Sequence, residues 1–421
     1  MDRIMLAATG SGCGKTTITT GILYLLKQAG LSPHAYKCGP DYIDPMYHEA
    51  ALSVPSKNLD PYFCNDELLL ASFAEGAGSI NVIEGCMGLY DGLGVSSECS
   101  AYSVAEALQA PIILVVDARG RGYSLIAEIM GFLRLDTAGL IRGIFLNRIS
   151  KGYYEKLAPV IQAETGLQAV GFLPAMSEIG LESRHLGLKS TAENDAAEKI
   201  KAIARVLQET LNMDALLAIA GQAASLKTAR PLRDFVNWNL AGQTIAVARD
   251  EAFNFYYRDN LLALEYAGAD VKYFSPIRDS ALPPGTTGIY IGGGYPELYL
   301  DELEKNTAMR SAIKKFAESG GHIFAECGGF MYLQERIEDH EMVGIFPGQA
   351  SNTGHLVRFG YIEAEYDGHV LKGHEFHHYD VTAPGQEMAI KKASTGQCYR
   401  AYRRYKNCLA GFPHFYFMSS S

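Results

Sequence analysis

Short apolar runs rich in β-branched residues alternate along the chain with stretches whose apolar positions recur every three or four residues. That alternation predicts parallel strands joined by helices. In the first half the strand-like runs are 3–9, 34–38, 80–84, 111–117 and 143–147. The stretch 16–30 places Ile18, Ile22, Leu25 and Leu26 on one helical face and stops at Gly30. A second series begins at 243–250 and continues through 271–275, 287–294 and 321–327, while residues 218–242 between the two keep no steady period. The expected fold class is α/β: two three-layer α/β domains, 1–225 and 242–421, joined by a linker at 226–241.

Composition narrows the function. Of 421 residues 48% are hydrophobic and 20% charged, which suffices for two sizeable cores. A net charge of −10 argues against nucleic acid as a partner. It leaves room for an anionic small molecule in a local basic pocket. No run approaches the roughly 20 apolar residues of a membrane span, and the first ten residues are too short an apolar run for a signal peptide. Eight cysteines with no CxxC pair read as reduced thiols, so a cytoplasmic enzyme is expected. A homo-oligomer is compatible with all of this.

Two places carry chemistry. The first is "GSGCGKTT" (10–17), between a strand and a helix. A loop containing Gly12 and Gly14 at a helix N-terminus directs backbone N–H groups at nucleotide phosphates. Lys15 would reach the outer phosphates, Thr16 would hold Mg²⁺, and Thr17 completes the motif. Thr9 stands where the strict pattern has its first glycine, and Gly10 and Gly12 supply the flexibility instead. Asp41 and Asp44 in "CGPDYIDP", and Glu84 and Asp91 in "VIEGCMGLYDG", follow the second and third strand runs. Ligands of doubly wound sheets bind at those strand ends, where carboxylates can hold a metal ion and position a phosphoryl group. Each acid alone would pass for a turn former or helix cap; four together point to a site.

The second place is "FAECGGFMYL" (324–333), where an apolar strand turns through Gly328 and Gly329 into a helical stretch. This predicts a nucleophile elbow, with the Cys327 thiol at a helix N-terminus that lowers its pKa. The base that activates it could be His355, His369, His374, His377, His378 or His414; spacing alone does not choose. In "IGGGYPELY" (291–299), Gly293, Gly294 and Tyr295 follow a strand end and can offer N–H groups to an oxyanion.

Taken together, "GSGCGKTT", "CGPDYIDPMYH", "NLDPYF", "VIEGCMGLYDG", "ESRHLGL", "GGGYPELY", "AECGGFMYL", "GHEFHHYD" and "PHFYF" resemble the cobyrinate a,c-diamide synthase family over essentially the whole chain. The resemblance implies an ATP-dependent amide-forming domain, similar to dethiobiotin synthetase, followed by a class I glutamine amidotransferase domain. Its substrates would be L-glutamine, ATP with Mg²⁺, and a tetrapyrrole (corrinoid) polycarboxylate whose a and c acetates become amides. By position, Lys15 and Thr16 would serve phosphates and Mg²⁺, and Asp41 and Glu84 would be the other metal-side acids. Asp44 and Asp91 would lie nearer the phosphoryl transfer, and Asn147 near the adenine. Cys327 would be the nucleophile and His414 its base, with Gly293 and Gly294 as the oxyanion turn. Apart from the resemblance, Lys37, Arg184 and His185 are candidates to bind the carboxylates of any such ring, against the plainer reading of basic residues as a solvated face. Many glutaminases carry His-x-Glu, but Tyr416 stands two residues after His414. Either a dyad suffices, or Glu375 or another group of "GHEFHHYD" orients the imidazole.

Hydrogenobyrinate and Ni-sirohydrochlorin, which present the same acetates, remain open as rings. From another class, a partition-type nucleotide switch with an inert glutaminase-like domain is an alternative. Such switches carry a second lysine early in the loop, and none precedes Lys15 in "AATGSGCGKTT".

Overall fold

The computed structural model describes residues 1–176, 190–226 and 229–419. The motif "ESRHLGL", with Arg184 and His185, lies outside the described residues. The chain divides into two compact units, Met1–Leu232 and Arg233–Ser421, a division that falls inside the span expected to be linker.

The first unit is built on β1 (Asp2–Ala8), β2 (Pro33–Cys38), β3 (Ser56–Leu59), β4 (Ile80–Glu84), β5 (Ile112–Asp117), β6 (Ile141–Asn147) and β7 (Gln168–Leu173). They form one sheet in the order β3-β2-β4-β1-β5-β6-β7, and every pairing is parallel. Continuous apolar runs such as "IILVVD" suit strands covered on both faces, and Ile113, Leu114, Val115 and Val116 are indeed buried. Helix α1 (Lys15–Gln28) follows β1 directly and buries Ile18, Ile22 and Leu26, as the periodicity predicts. Because all strands run the same way, Ala8, Cys38, Glu84, Asp117 and Asn147 share one edge of the sheet. The loops after them form its ligand-facing rim.

In the second unit, β8 (Thr244–Ala248), β9 (Asp270–Phe274), β10 (Gly288–Ile291) and β11 (His322–Glu326) are parallel neighbours in the order β11-β10-β8-β9. The strand Cys408–Gly411 adds parallel to β11, and Arg403–Tyr405 closes that edge antiparallel. A five-stranded antiparallel sheet contains Arg358–Tyr366, His369–His377 and the two-residue strand His414–Phe415. Residues 408–415 therefore pass from one sheet to the other, which carries His414 from beside β11 to beside His374.

Candidate functional site

In the first unit the phosphate loop is held from below. Gly14 adopts φ 91° immediately before α1, a left-handed conformation that favours glycine. A Cβ at this position would lie 2.2 Å from Asn147 Nδ2. Asn147 is buried at the end of β6 and donates to the Cys13 carbonyl at 2.7 Å. Its side chain thus braces the loop. Arg148, which sequence reasoning missed, donates to Gly12 O at 2.8 Å and to Asp117 at 2.6 Å. The Lys15 ammonium folds back onto Gly10 O (3.3 Å) and the Met87 carbonyl, so it bridges the loops after β1 and β4. Thr17 is half-buried on the first turn of α1.

An acid from the end of β4 and one from the first turn of the helix Ile43–Leu52 meet at Thr16. Its hydroxyl donates to Glu84 Oε1 at 2.6 Å and lies 3.4 Å from Asp44 Oδ2. The Lys37 ammonium sits among the same oxygens, 2.5 Å from Asp44 Oδ2, 2.9 Å from Glu84 Oε1 and 3.9 Å from Asp41 Oδ2. This corrects the expectation that Lys37 binds a substrate carboxylate: it is buried and occupied by the chain's own acids. Burial alone would push the Asp44 carboxyl up, yet the ammonium holds it below the usual range. Burial pushes Glu84 up to about 7 against the pull of Lys37. One ammonium shared by three carboxylates leaves the most deeply buried of them the least stabilised as an anion.

A magnesium ion fits this corner. The Thr16 hydroxyl and two carboxylates already converge on a cation, and Glu84 Oε2, 3.8 Å from the buried His48 Nε2, makes no hydrogen bond among the described residues. No group of three or more His, Cys, Asp or Glu side chains is set as a ligand cage among the described residues. Mg²⁺ at a phosphate site needs fewer, because water and phosphate oxygens complete its shell. Asp41 Oδ1 is engaged by the Ile43 and Asp44 amides at 2.8 and 3.3 Å. Asp91 is exposed and accepts from Gly88 N at 2.9 Å, so the described geometry does not bring it to Thr16.

In the second unit Cys327 has φ 48° and ψ −108°, a strained conformation for a residue with a side chain. The helix behind it, Gly328–Tyr332, is short. The turn after β10 packs directly on this elbow: Gly329 N donates to Gly292 O at 3.0 Å, and a Cβ on Gly328 would meet Gly294 N at 3.1 Å. Cys327 N donates to Gly411 O at 2.8 Å, tying the elbow to the segment that leads to His414. A Cβ on Gly293 would meet His414 Cε1 at 2.4 Å and Nε2 at 3.1 Å. The Cys327 elbow and the His414 imidazole thus both pack against the same glycine turn.

The other candidate histidines separate by burial. His355 and His369 are exposed and His378 is half-buried. His374 and His377 are buried close to His414. The His374 ring stacks on His414 at 5.1 Å and bonds Tyr257 OH through Nδ1 at 2.9 Å. The His377 ring lies 3.9 Å from that of Phe412, with Nδ1 2.6 Å from Tyr379 O. Glu375 lies 3.9 Å from His377 Nε2 and accepts from Tyr399 OH. The carboxylate beside His414 is Glu326, with Oε2 4.0 Å from Nδ1. Sequence reasoning missed it, because it sits unmarked at the end of an apolar strand.

Electrostatics reverse one expectation. Burial, with the nearby acids, pushes the Cys327 thiol up to about 12, and burial with the two neighbouring histidines holds His414 well below its ordinary value. The resting pair is therefore neutral thiol and neutral imidazole. A short helix end does not overcome the loss of water.

Residues 4–221 match the CobQ/CobB/MinD/ParA nucleotide binding domain, and residues 244–421 match the CobB/CobQ-like glutamine amidotransferase domain. The chain is 38% identical to the cobyrinate a,c-diamide synthase of Clostridium acetobutylicum, over 100% of this chain and 98% of that one. It is 39% identical to the enzyme of that name from Salmonella typhimurium, covering 98% and 94%, and 40% identical to that of Methanothermobacter thermautotrophicus, covering 92% and 90%. The chain belongs to the cobyrinate a,c-diamide synthase family.

Proposed function

We propose that the protein converts the a and c acetates of cobyrinate to amides, using glutamine as the nitrogen donor and ATP as the activating reagent. The observation that carries this reading is the meeting of Cys327, the Gly293–Gly294 turn and His414 in a chain that also holds a braced phosphate loop.

In the glutaminase unit, Cys327 Sγ attacks the side-chain carboxamide carbon of glutamine while His414 takes the thiol proton. The Gly293 and Gly294 amides face the oxygen that gains charge. His414 returns the proton to the departing nitrogen, which leaves as ammonia. Water then cleaves the thioester, giving glutamate and free thiol.

In the synthetase unit, an acetate oxygen attacks the γ-phosphorus of ATP and ADP departs, leaving an acyl phosphate. Ammonia adds to the acyl carbon, and phosphate leaves to give the amide. Lys15 and the loop amides bind and orient the phosphates. Thr16, Glu84 and Asp44 would hold magnesium, which neutralises phosphate oxygens when bound. Lys37 keeps these acids together. Eight free cysteines fit a reducing, cytoplasmic setting.

The test is the mass of the ring recovered after incubation with glutamine and MgATP. Each acetate converted from acid to amide lowers the mass by about one dalton, so two conversions on cobyrinate are expected, with hydrogenobyrinate and Ni-sirohydrochlorin run beside it. Amidation of one of those rings in preference to cobyrinate would replace the substrate and keep the chemistry.

A further inference from the structure

A buried base that accepts a proton becomes a buried cation, and such a charge persists only beside a compensating group. His414 is 2% exposed. In glutaminases with His-x-Glu that group stands two residues after the base; here the position is Tyr416, whose hydroxyl donates to Asp259 at 2.7 Å instead.

The imidazole divides its two nitrogens between two neighbourhoods. Its Cε1–Nε2 edge faces Gly293, within 2.4 and 3.1 Å of where a Cβ would stand, on the side of the elbow. Its Nδ1 faces Glu326 Oε2 at 4.0 Å. This is the division of labour in nucleophile–histidine–acid sites, where one nitrogen exchanges the proton and the other is steadied by a carboxylate. Apo spacings in such sites are commonly long and tighten when substrate binds.

Glu326 is itself fixed on both oxygens. Oε1 accepts from Phe415 N at 2.8 Å, the amide following His414, and Oε2 accepts from Tyr290 OH at 2.7 Å. It is 1% exposed and immediately precedes the nucleophile on β11. Glu375, another buried carboxylate nearby, is turned to His377 and Tyr399, and Asp259 to Tyr416.

We propose that Glu326 is the positioning residue of the glutaminase site: it holds the His414 strand by its main chain and receives the Nδ1–H of the imidazolium that forms when Cys327 gives up its proton. Acid and nucleophile are then adjacent in sequence, and the base arrives from the other sheet. The inference rests on the reading of this unit as a glutaminase.

The titratable groups near the imidazole and the thiol set what pH experiments read: beside Glu326 and Tyr290 they include the stacked His374 and His377 at the imidazole, and Glu297 and Glu375 acting on the Cys327 thiol. Burial pushes the Glu326 carboxyl up to about 8; its proton is released to solvent and the carboxylate is stabilised by the imidazolium that forms beside it.

The decisive variant is Glu326→Gln, which keeps the size and can still bond Phe415 N and Tyr290. Two readouts on the full chain apply: steady-state glutamine hydrolysis, and the rate at which iodoacetamide alkylates Cys327 as a function of pH. We expect kcat for hydrolysis to fall on the order of 100-fold with the KM for glutamine changed less than about threefold. The alkylation profile should move to higher pH by about one unit or more, because the imidazolium 4.0 Å from the carboxylate loses more by its removal than the thiolate gains from the loss of that acid's repulsion. A kcat within about threefold of wild type together with a superimposable alkylation profile would overturn the proposal. A merely structural role would lower the amount of active protein and leave the profile in place, which also counts against it. Should Glu326→Gln fail to fold, Glu326→Asp takes the same two measurements, and an unshifted profile there overturns the proposal equally. Wild type that hydrolyses no glutamine would instead refute the glutaminase reading itself, so the two failures are told apart.

Discussion

Lys37 and Glu84, side by side on neighbouring parallel strands, bury an ammonium and a carboxylate 2.9 Å apart at the edge where the phosphate loop lies. The pair forms because β2 and β4 end in register, Lys37 opposite Glu84. Removing one member of a buried pair strands the other charge. Lys37→Met should therefore lower stability by about 3–5 kcal/mol. Part of that loss should return on adding Mg²⁺, which urea titrations with and without the ion would check. Equal loss with and without Mg²⁺ would show that Thr16, Asp44 and Glu84 do not form the cation corner.

Gly14 carries a prediction about nucleotide. Alanine at φ 91° is strained, by roughly 1–2 kcal/mol, and its methyl would displace the Asn147 amide from Cys13 O. Gly14→Ala should remain folded yet lose at least about tenfold in affinity for a fluorescent ATP analogue, because the loop that presents N–H groups is unseated. Asn147→Ala should weaken binding less, since the brace goes while the backbone of the loop remains.

At the other site, a methyl on Gly293 would overlap the His414 ring. Gly293→Ala should cut glutamine-dependent turnover by about 10²–10³-fold, the usual scale for disturbing an oxyanion turn. The ammonium-dependent reaction should be spared. Parallel assays with the two nitrogen sources give the answer, and equal losses would place Gly293 outside glutamine chemistry.

His374 links the site to stability. Burial lowers its pKa to about 3 from an ordinary 6.5. A group with a depressed folded pKa contributes stability that is fully present above its unfolded pKa and is lost as pH falls toward the folded value. Acidification below pH 6.5 should thus cost the wild type about 1.4 kcal/mol per pH unit through this residue, continuing to about pH 3. Glu326 acts oppositely: raised to about 8, it loses its contribution as pH climbs from about 4.5. His374→Asn isolates the histidine. Its stability deficit should be constant above pH 6.5 and narrow below it, and a deficit unchanged at pH 5 would contradict the assignment.

Most of the strands legible from patterning are buried on both faces, where continuous apolar runs leave little ambiguity; the half-exposed β9 is the exception. β3, "SKNL", lacks β-branched residues and was not visible; β7, at the opposite edge, was passed over. The antiparallel sheet around Arg358–Tyr366 also escaped, since "RFGYIEAEY" mixes glycine, charge and aromatics on a half-exposed surface. Site residues were legible where a turn motif marks them, as at Gly14, Lys15, Thr16 and Cys327. They were not legible where tertiary structure decides. Nothing in "FAEC" says that Glu326 faces an imidazole almost ninety residues away, nor that Arg148 reaches back to Gly12. The thiol was expected to be acidified by a helix end, but in this site desolvation outweighs it.

The central claim is that one chain makes ammonia at Cys327 and spends it on a ring carboxylate activated in the other unit. Its most direct test follows ring amidation by Cys327→Ala with MgATP, supplied either with glutamine or with ammonium. The account predicts no amide from glutamine and two amides on one ring from ammonium. Amidation from glutamine by the variant, or none from either source while ATP is still hydrolysed, would contradict it.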